Sequence, residues 1–134
     1  METLWLDANV ILRFLTGEPK DLAERAGRLM ARAERGEIAL FIPNLVLAEV
    51  VWVLRSFYRR SQAEIAEVLV ALVSAEGIEV TDRASTVHAL ELARDLNVDY
   101  VDAVLALDAA AAEATLCTFD ASDFKRLPVH WIEP

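Results

Sequence analysis

With Cys117 as its only cysteine, the chain cannot form an intramolecular disulfide, and the apolar stretch around that thiol reads as core in a reducing cytosol. Glycine and proline are scarce, four each in 134 residues, while 55% of residues are hydrophobic. Together these exclude a disordered chain and predict a helix-rich globule with a large core or an apolar interface. The start, Met-Glu-Thr-Leu-Trp-Leu-Asp, lacks the basic residues and apolar run of a signal peptide. The longest apolar stretch, Ile38 to Leu54, is broken by Pro43, Asn44 and Glu49, so no membrane span or membrane partner is expected. A soluble, cytoplasmic protein follows as the expectation. Cations are also few: 13 Lys and Arg face 22 Asp and Glu, a net charge of −9 that repels a polyanion at long range. A nucleic-acid function therefore requires a local basic patch or bound divalent cations. Neither His88 nor His130 has a partner at metal-ligand spacing, and both read as ordinary helix and strand residues.

At this length one domain, residues 1–134, is expected; no linker, repeat or low-complexity tract divides it. Thr3 to Leu6 reads as a short, fully buried strand ending at Asp7. Val10, Ile11, Phe14 and Leu15 suit a short helix that Gly17 can close in a left-handed cap. Pro19 opens a helix running to about Arg35 and stopped by Gly36. Its arginines, Arg25 to Arg35, form a stripe interrupted on the same side by Asp21 and Glu24, which favours a mixed solvated face over an RNA guide. Ile38 to Ile42 is a second buried strand, followed by a helix with Asn44 as N-cap. Ser61 and Glu64 form a capping box for a helix with Ile65, Val68, Leu69, Leu72 and Val73 on one face. Ile78 to Val80, a helix from Ser85 to Leu96 with a left-handed end at Asn97, and an Ala-rich helix after Asp99 follow. Thr115 to Phe119 is a fourth strand, and Val129 to Ile132 an edge strand. This alternation predicts a parallel α/β sheet covered by helices.

Four acids stand out. Leu45 to Leu54 holds a single carboxylate, Glu49, among nine apolar residues, so at about 100° per residue the helix has no polar face and Glu49 is expected to be buried. A buried carboxylate requires a partner. Asp7 and Asp120 fall at strand carboxyl ends, where ligands bind in open parallel sheets, and Asp102 at a helix start. Converging carboxylates repel unless a cation joins them, and Mg²⁺ or Mn²⁺ takes such oxygen ligands and can activate water for attack on a phosphodiester. Taken singly, Asp7 and Asp102 read equally as helix N-caps and Asp120 as a turn former, and Asp99, one turn before Asp102, reads either as a supporting acid behind it or as a surface cap.

Leu-Asp-Ala-Asn-Val-Ile-Leu-Arg at residues 6 to 13, Leu-Ala-Glu-Val-Val-Trp-Val-Leu around Glu49, Asp-Tyr-Val-Asp-Ala at 99 to 103 and Thr-Phe-Asp-Ala-Ser-Asp-Phe at 118 to 124 resemble the PIN domain. More narrowly, they resemble the VapC-type ribonuclease toxins of toxin-antitoxin pairs. The resemblance implies a PIN-like three-layer α/β/α sandwich with a central, mainly parallel sheet of four to five short strands. It also implies a Mg²⁺- or Mn²⁺-dependent endoribonuclease acting on cellular RNA such as transfer RNA, a homodimer, and inhibition by an antitoxin. Asp7, Glu49, Asp102 and Asp120 match the family's acidic quartet, Asn9 and Thr118 its polar supporting positions, and Asp123 a further acid of some members.

Arg13, one turn from Asn9, either contacts substrate phosphate or forms a surface ion pair. Thr118 either bonds a ligand carboxylate or merely ends its strand. Trp5, Trp52 and Trp131 read as core or interface, and the excess apolar surface of the Glu49 helix and the 65 to 73 face as a dimer or antitoxin surface. Two rivals compete. A haloacid dehalogenase-type phosphatase wants a second Asp two residues after the first, where this chain has Asn9; a non-catalytic PIN scaffold would act through protein contacts alone.

Overall fold

The chain divides after Arg83, and each part of the computed structural model, which describes residues 1–134, builds its own parallel β-ladder. In residues 1–83 the order is β1 (Thr3–Trp5), α1 (Ala8–Thr16), α2 (Lys20–Glu34), β2 (Ala39–Phe41), α3 (Asn44–Ser56), α4 (Gln62–Val73) and β3 (Ile78–Glu79). The strands pair as β1-β2-β3, with Thr3 opposite Ala39 and Leu40 opposite Ile78. Central placement explains why β2 is the apolar strand: Leu40 and its neighbours Ile38 and Ile42 are essentially inaccessible. Each such side chain contributes about 1.5–3 kcal/mol by burial.

Local sequence sets the helix ends. Asp7 caps α1 by accepting from the Val10 amide at 3.2 Å, and Gly17 closes it at φ 75°. Ser61 and Glu64 form the expected reciprocal capping box on α4, each bond 3.1 Å. Asn44, expected as a cap, is instead the first residue of α3, and Pro43 occupies the cap without a side-chain bond. Gly77, at φ 80°, leads into β3 so close to the end of α2 that an added Cβ would meet the Ala33 carbonyl oxygen at 2.4 Å.

Two expectations of burial fail here. The first strand is not fully buried: Trp5 is 71% exposed, with its ring beside that of Phe41 at a centroid distance of 4.6 Å. β1 ends its ladder, so one strand neighbour is all it has. Glu49 is exposed, not buried. Its helix buries Leu47, Val50, Val51 and Leu54 and turns a second apolar stripe outward, in which Leu45 (83% exposed) and Trp52 (67%) flank Glu49 at i−4 and i+3. Apolar neighbours all round the helix thus reflect one buried face and one exposed apolar face, and Glu49 needs no interior partner. Trp5 and Trp52 are accordingly surface residues, and Trp131 is half-buried.

In residues 84–134 lie α5 (Arg83–Leu96, beginning at the boundary), α6 (Tyr100–Ala111), β4 (Leu116–Cys117), α7 (Ala121–Phe124) and β5 (Trp131–Ile132). β4 and β5 pair in parallel, Leu116 opposite Trp131, with α7 in the crossover. Ala89, Leu90, Ala93, Val98, Tyr100, Ala103 and Ala106 are buried. Asn97, at φ 53°, ends α5 in the expected left-handed conformation. The fourth strand is shorter than expected, and Phe119, 84% exposed, lies beyond it. Cys117 is exposed rather than core, because in β4 it alternates with the buried Leu116.

The five short strands match the expected number and their parallel pairing, in a helix-rich α/β fold. Their hydrogen bonds form ladders of three and two strands rather than one continuous sheet. No helix is long and apolar enough to cross a membrane.

Candidate metal centre

The second unit gathers Asp102, Asp120 and Asp123, with ligand oxygens within 4.8 Å of one another. Three local devices bring them together. Asp99 is the N-cap of α6, accepting from the Val101 amide at 3.1 Å, which places Asp102 in the first helical turn, half-buried. Asp120 stands just past β4 in a turn fixed from both sides: its amide donates to Thr118 Oγ1 at 2.9 Å, and Ser122 Oγ donates to its Oδ1 at 2.8 Å. Asp123, on α7, accepts from Arg126 Nη2 at 2.9 Å. Arg126 also donates to the carbonyls of Ser122 and Leu96, tying α7 to the end of α5.

Charge crowding is visible in the Asp102 carboxyl. Burial foremost, and then the charges of Asp99, Asp123 and Asp120, raise its pKa above the usual carboxylate value. Only oxygen donors face the cluster, and like charges oppose one another there, so the donor set fits a hard divalent cation rather than a soft metal.

The single residues fall as follows. Asp99 is a helix cap, and Thr118 bonds the Asp120 backbone rather than a carboxylate. Asp123, a supporting position by sequence, belongs to the cluster itself. Ser122, which the sequence marks only as part of the turn after Asp120, and Arg126 join the site; their signals are Ser two residues after Asp120 and Arg three residues after Asp123 on one helical turn.

Asp7 and Glu49 belong to the first unit, where both are exposed. Asp7, Asn9 and Arg13 line a groove of about 470 Å³ together with Leu22, Arg25 and Leu29 of α2. Arg13 forms no surface ion pair; its closest polar contact is a long 3.4 Å bond to the Glu18 carbonyl. The arginine stripe of α2 divides in function: Arg32 and Arg35 pair with Glu37 at 3.4 and 3.1 Å, whereas Arg25 and Arg28 form no ion pair.

No curated protein matches the chain. Among solved structures, a chain of VapBC2 from Rickettsia felis, bound to a DNA fragment from its promoter, is similar at 21% identity over 98% of each chain, with a TM-score of 0.42. The PIN domain family matches residues 4–129, a span that includes all the acids of the cluster as well as Asp7 and Glu49, and the chain therefore belongs to the PIN domain family.

Proposed function

We propose that this PIN domain is a Mg²⁺- or Mn²⁺-dependent endoribonuclease of the VapC toxin type, cytoplasmic and restrained by a cognate antitoxin protein. The observation that carries the reading is the convergence of Asp102, Asp120 and Asp123 in a family whose members are generally nucleases. Asp7 and Glu49 join the catalytic set on their sequence motifs, as the quartet Asp7, Glu49, Asp102 and Asp120 with Asp123 beside it. The substrate is cellular RNA, with transfer RNA favoured by the same resemblance.

Asp102, Asp120 and Asp123 would hold the cation. When bound, it supplies Lewis acidity toward the phosphodiester and toward the attacking water. The chain's own residues prepare the site. Ser122 and Thr118 fix the turn that aims Asp120, Arg126 holds Asp123, and the Asp99 cap sets the first turn of α6 that presents Asp102. No side chain forms a covalent intermediate in this reading.

The test is cleavage of a small-RNA pool by the antitoxin-free chain with Mg²⁺ or Mn²⁺, beside an EDTA control and Asp102→Asn. Discrete products requiring both metal and Asp102 are expected. Equal cutting by the variant would refute the metal-site assignment, and absence of both products and calorimetric metal binding would favour a non-catalytic scaffold.

One observation supports a protein-binding role beside catalysis. Leu45 and Trp52 form an outward apolar stripe on α3, and Phe57 just past the helix end is 75% exposed. This surface suits a homodimer or antitoxin contact. Trp52→Lys is expected to weaken that association in sedimentation; a wild-type chain that stays monomeric and binds no antitoxin removes the assignment.

A further inference from the structure

The guanidinium groups of Arg13 and Arg25, both outside any ion pair, share one groove on the first unit. Arg13 comes from α1 and Arg25 from α2; neither forms an ion pair, and Leu22 and Leu29 add apolar lining to the groove. Arg32 and Arg35, by contrast, are paired with Glu37, and Arg60 with Glu64. A cavity of about 470 Å³ lies within the roughly 300–1,000 Å³ of small-ligand sites. Cationic forks beside apolar wall suit a nucleotide, whose phosphate takes charge-assisted hydrogen bonds and whose sugar and base take nonpolar contact.

We infer that the α1–α2 groove is a binding site for the sugar-phosphate backbone of single-stranded RNA, with Arg13 and Arg25 as its phosphate contacts. The inference rests on the nuclease reading above, because the Asp7 carboxylate lines the same groove and would repel phosphate unless neutralised. It supplies the local basic patch that a chain of net charge −9 requires to hold a polyanion.

The test is fluorescence anisotropy with a short fluorescein-labelled oligouridine, in an Asp7→Asn background that keeps the α1 cap and removes the groove's negative charge. Adding Arg13→Gln or Arg25→Gln should each flatten the slope of log affinity against log salt by about 0.7, and the pair should weaken binding on the order of tenfold. Arg25→Lys should recover most of the loss at its position. Arg25 is exposed, so its variants remain informative if thermal melting shows that Arg13→Gln impairs folding. Unchanged RNA affinity and salt slope in the double variant overturn the inference. So does loss of binding to a polyglutamate peptide with RNA binding intact, which would assign the groove to an acidic protein segment. The two readings fail separately: a chain that cuts no RNA with any divalent metal, but loses oligouridine with the arginines, keeps the groove and loses the nuclease. A chain that cuts RNA, with the arginines irrelevant to binding, does the reverse.

Discussion

The two units of the chain differ in how far their acids are balanced by cations. Residues 1–83 hold ten Lys and Arg against thirteen Asp and Glu, whereas residues 84–134 hold three against nine. In the second unit two of those three cations are committed to neighbours, Arg94 to Asp95 and Glu91 and Arg126 to Asp123. Asp102 and Asp120 are left without a cationic partner in a space that Asp123 shares, while in the first unit, itself acidic on balance, Arg13 and Arg25 line one groove without an ion pair. A whole-chain charge of −9 describes neither. A cluster of unpaired acids suits a divalent cation, and arginines outside ion pairs suit a phosphate.

The comparison breaks most decisively at Asp102. Asp102→Asn is expected to lower Mn²⁺ affinity by calorimetry by more than about a hundredfold, beyond the 10–100-fold typical of outer partners. The metal-free variant should be at least as stable as wild type. Because the Asp102 carboxyl is raised in the folded chain, the fold holds that proton to higher pH than the unfolded chain does. Its contribution to stability is therefore full at low pH and lost as pH rises through the raised value. In the variant this part of the pH dependence of thermal melting disappears; a melting temperature that falls instead would show that the carboxylate is structural.

Arg126 sharpens the comparison. It is both the counter-ion of Asp123 and the tie to the Leu96 carbonyl, so Arg126→Ala should weaken metal binding by roughly 10–100-fold through misplacement of Asp123. Tighter binding would mean that Arg126 acts only as a competing charge.

The smallest effect, one on stability, lies at Asp7, in the first unit, where cap and charge can be separated. Asp7→Ala should cost about 0.5–2 kcal/mol in denaturant unfolding, since the Val10 amide loses its acceptor, and Asp7→Asn almost nothing. If both cut RNA like wild type, Asp7 is a cap and no more.

Local signals were readable wherever a residue's role depends on its own turn of chain. The Asp7 and Ser61 caps, the left-handed Gly17 and Asn97, and the apolar β2 strand all follow from near neighbours. What failed depends on which side of an element is covered. Glu49, Trp5, Trp52 and Cys117 sit in apolar sequence yet face outward, because periodicity counts apolar residues without saying which stripe finds a partner. Within the site, the motif order identified Asp102 and Asp120, while the clustering of Asp123 and its tether to Arg126 are products of the short α7, whose four residues give periodicity nothing to work on.

The outward-facing Cys117 has a practical use. It is the chain's sole thiol and precedes Asp120 by three residues, so a maleimide-linked reporter can be attached at one defined position without changing any residue. A nitroxide there would have its resonance broadened by paramagnetic Mn²⁺ held nearby and left sharp by diamagnetic Mg²⁺. Occupancy of the acidic cluster would then be read spectroscopically, with no RNA in the tube.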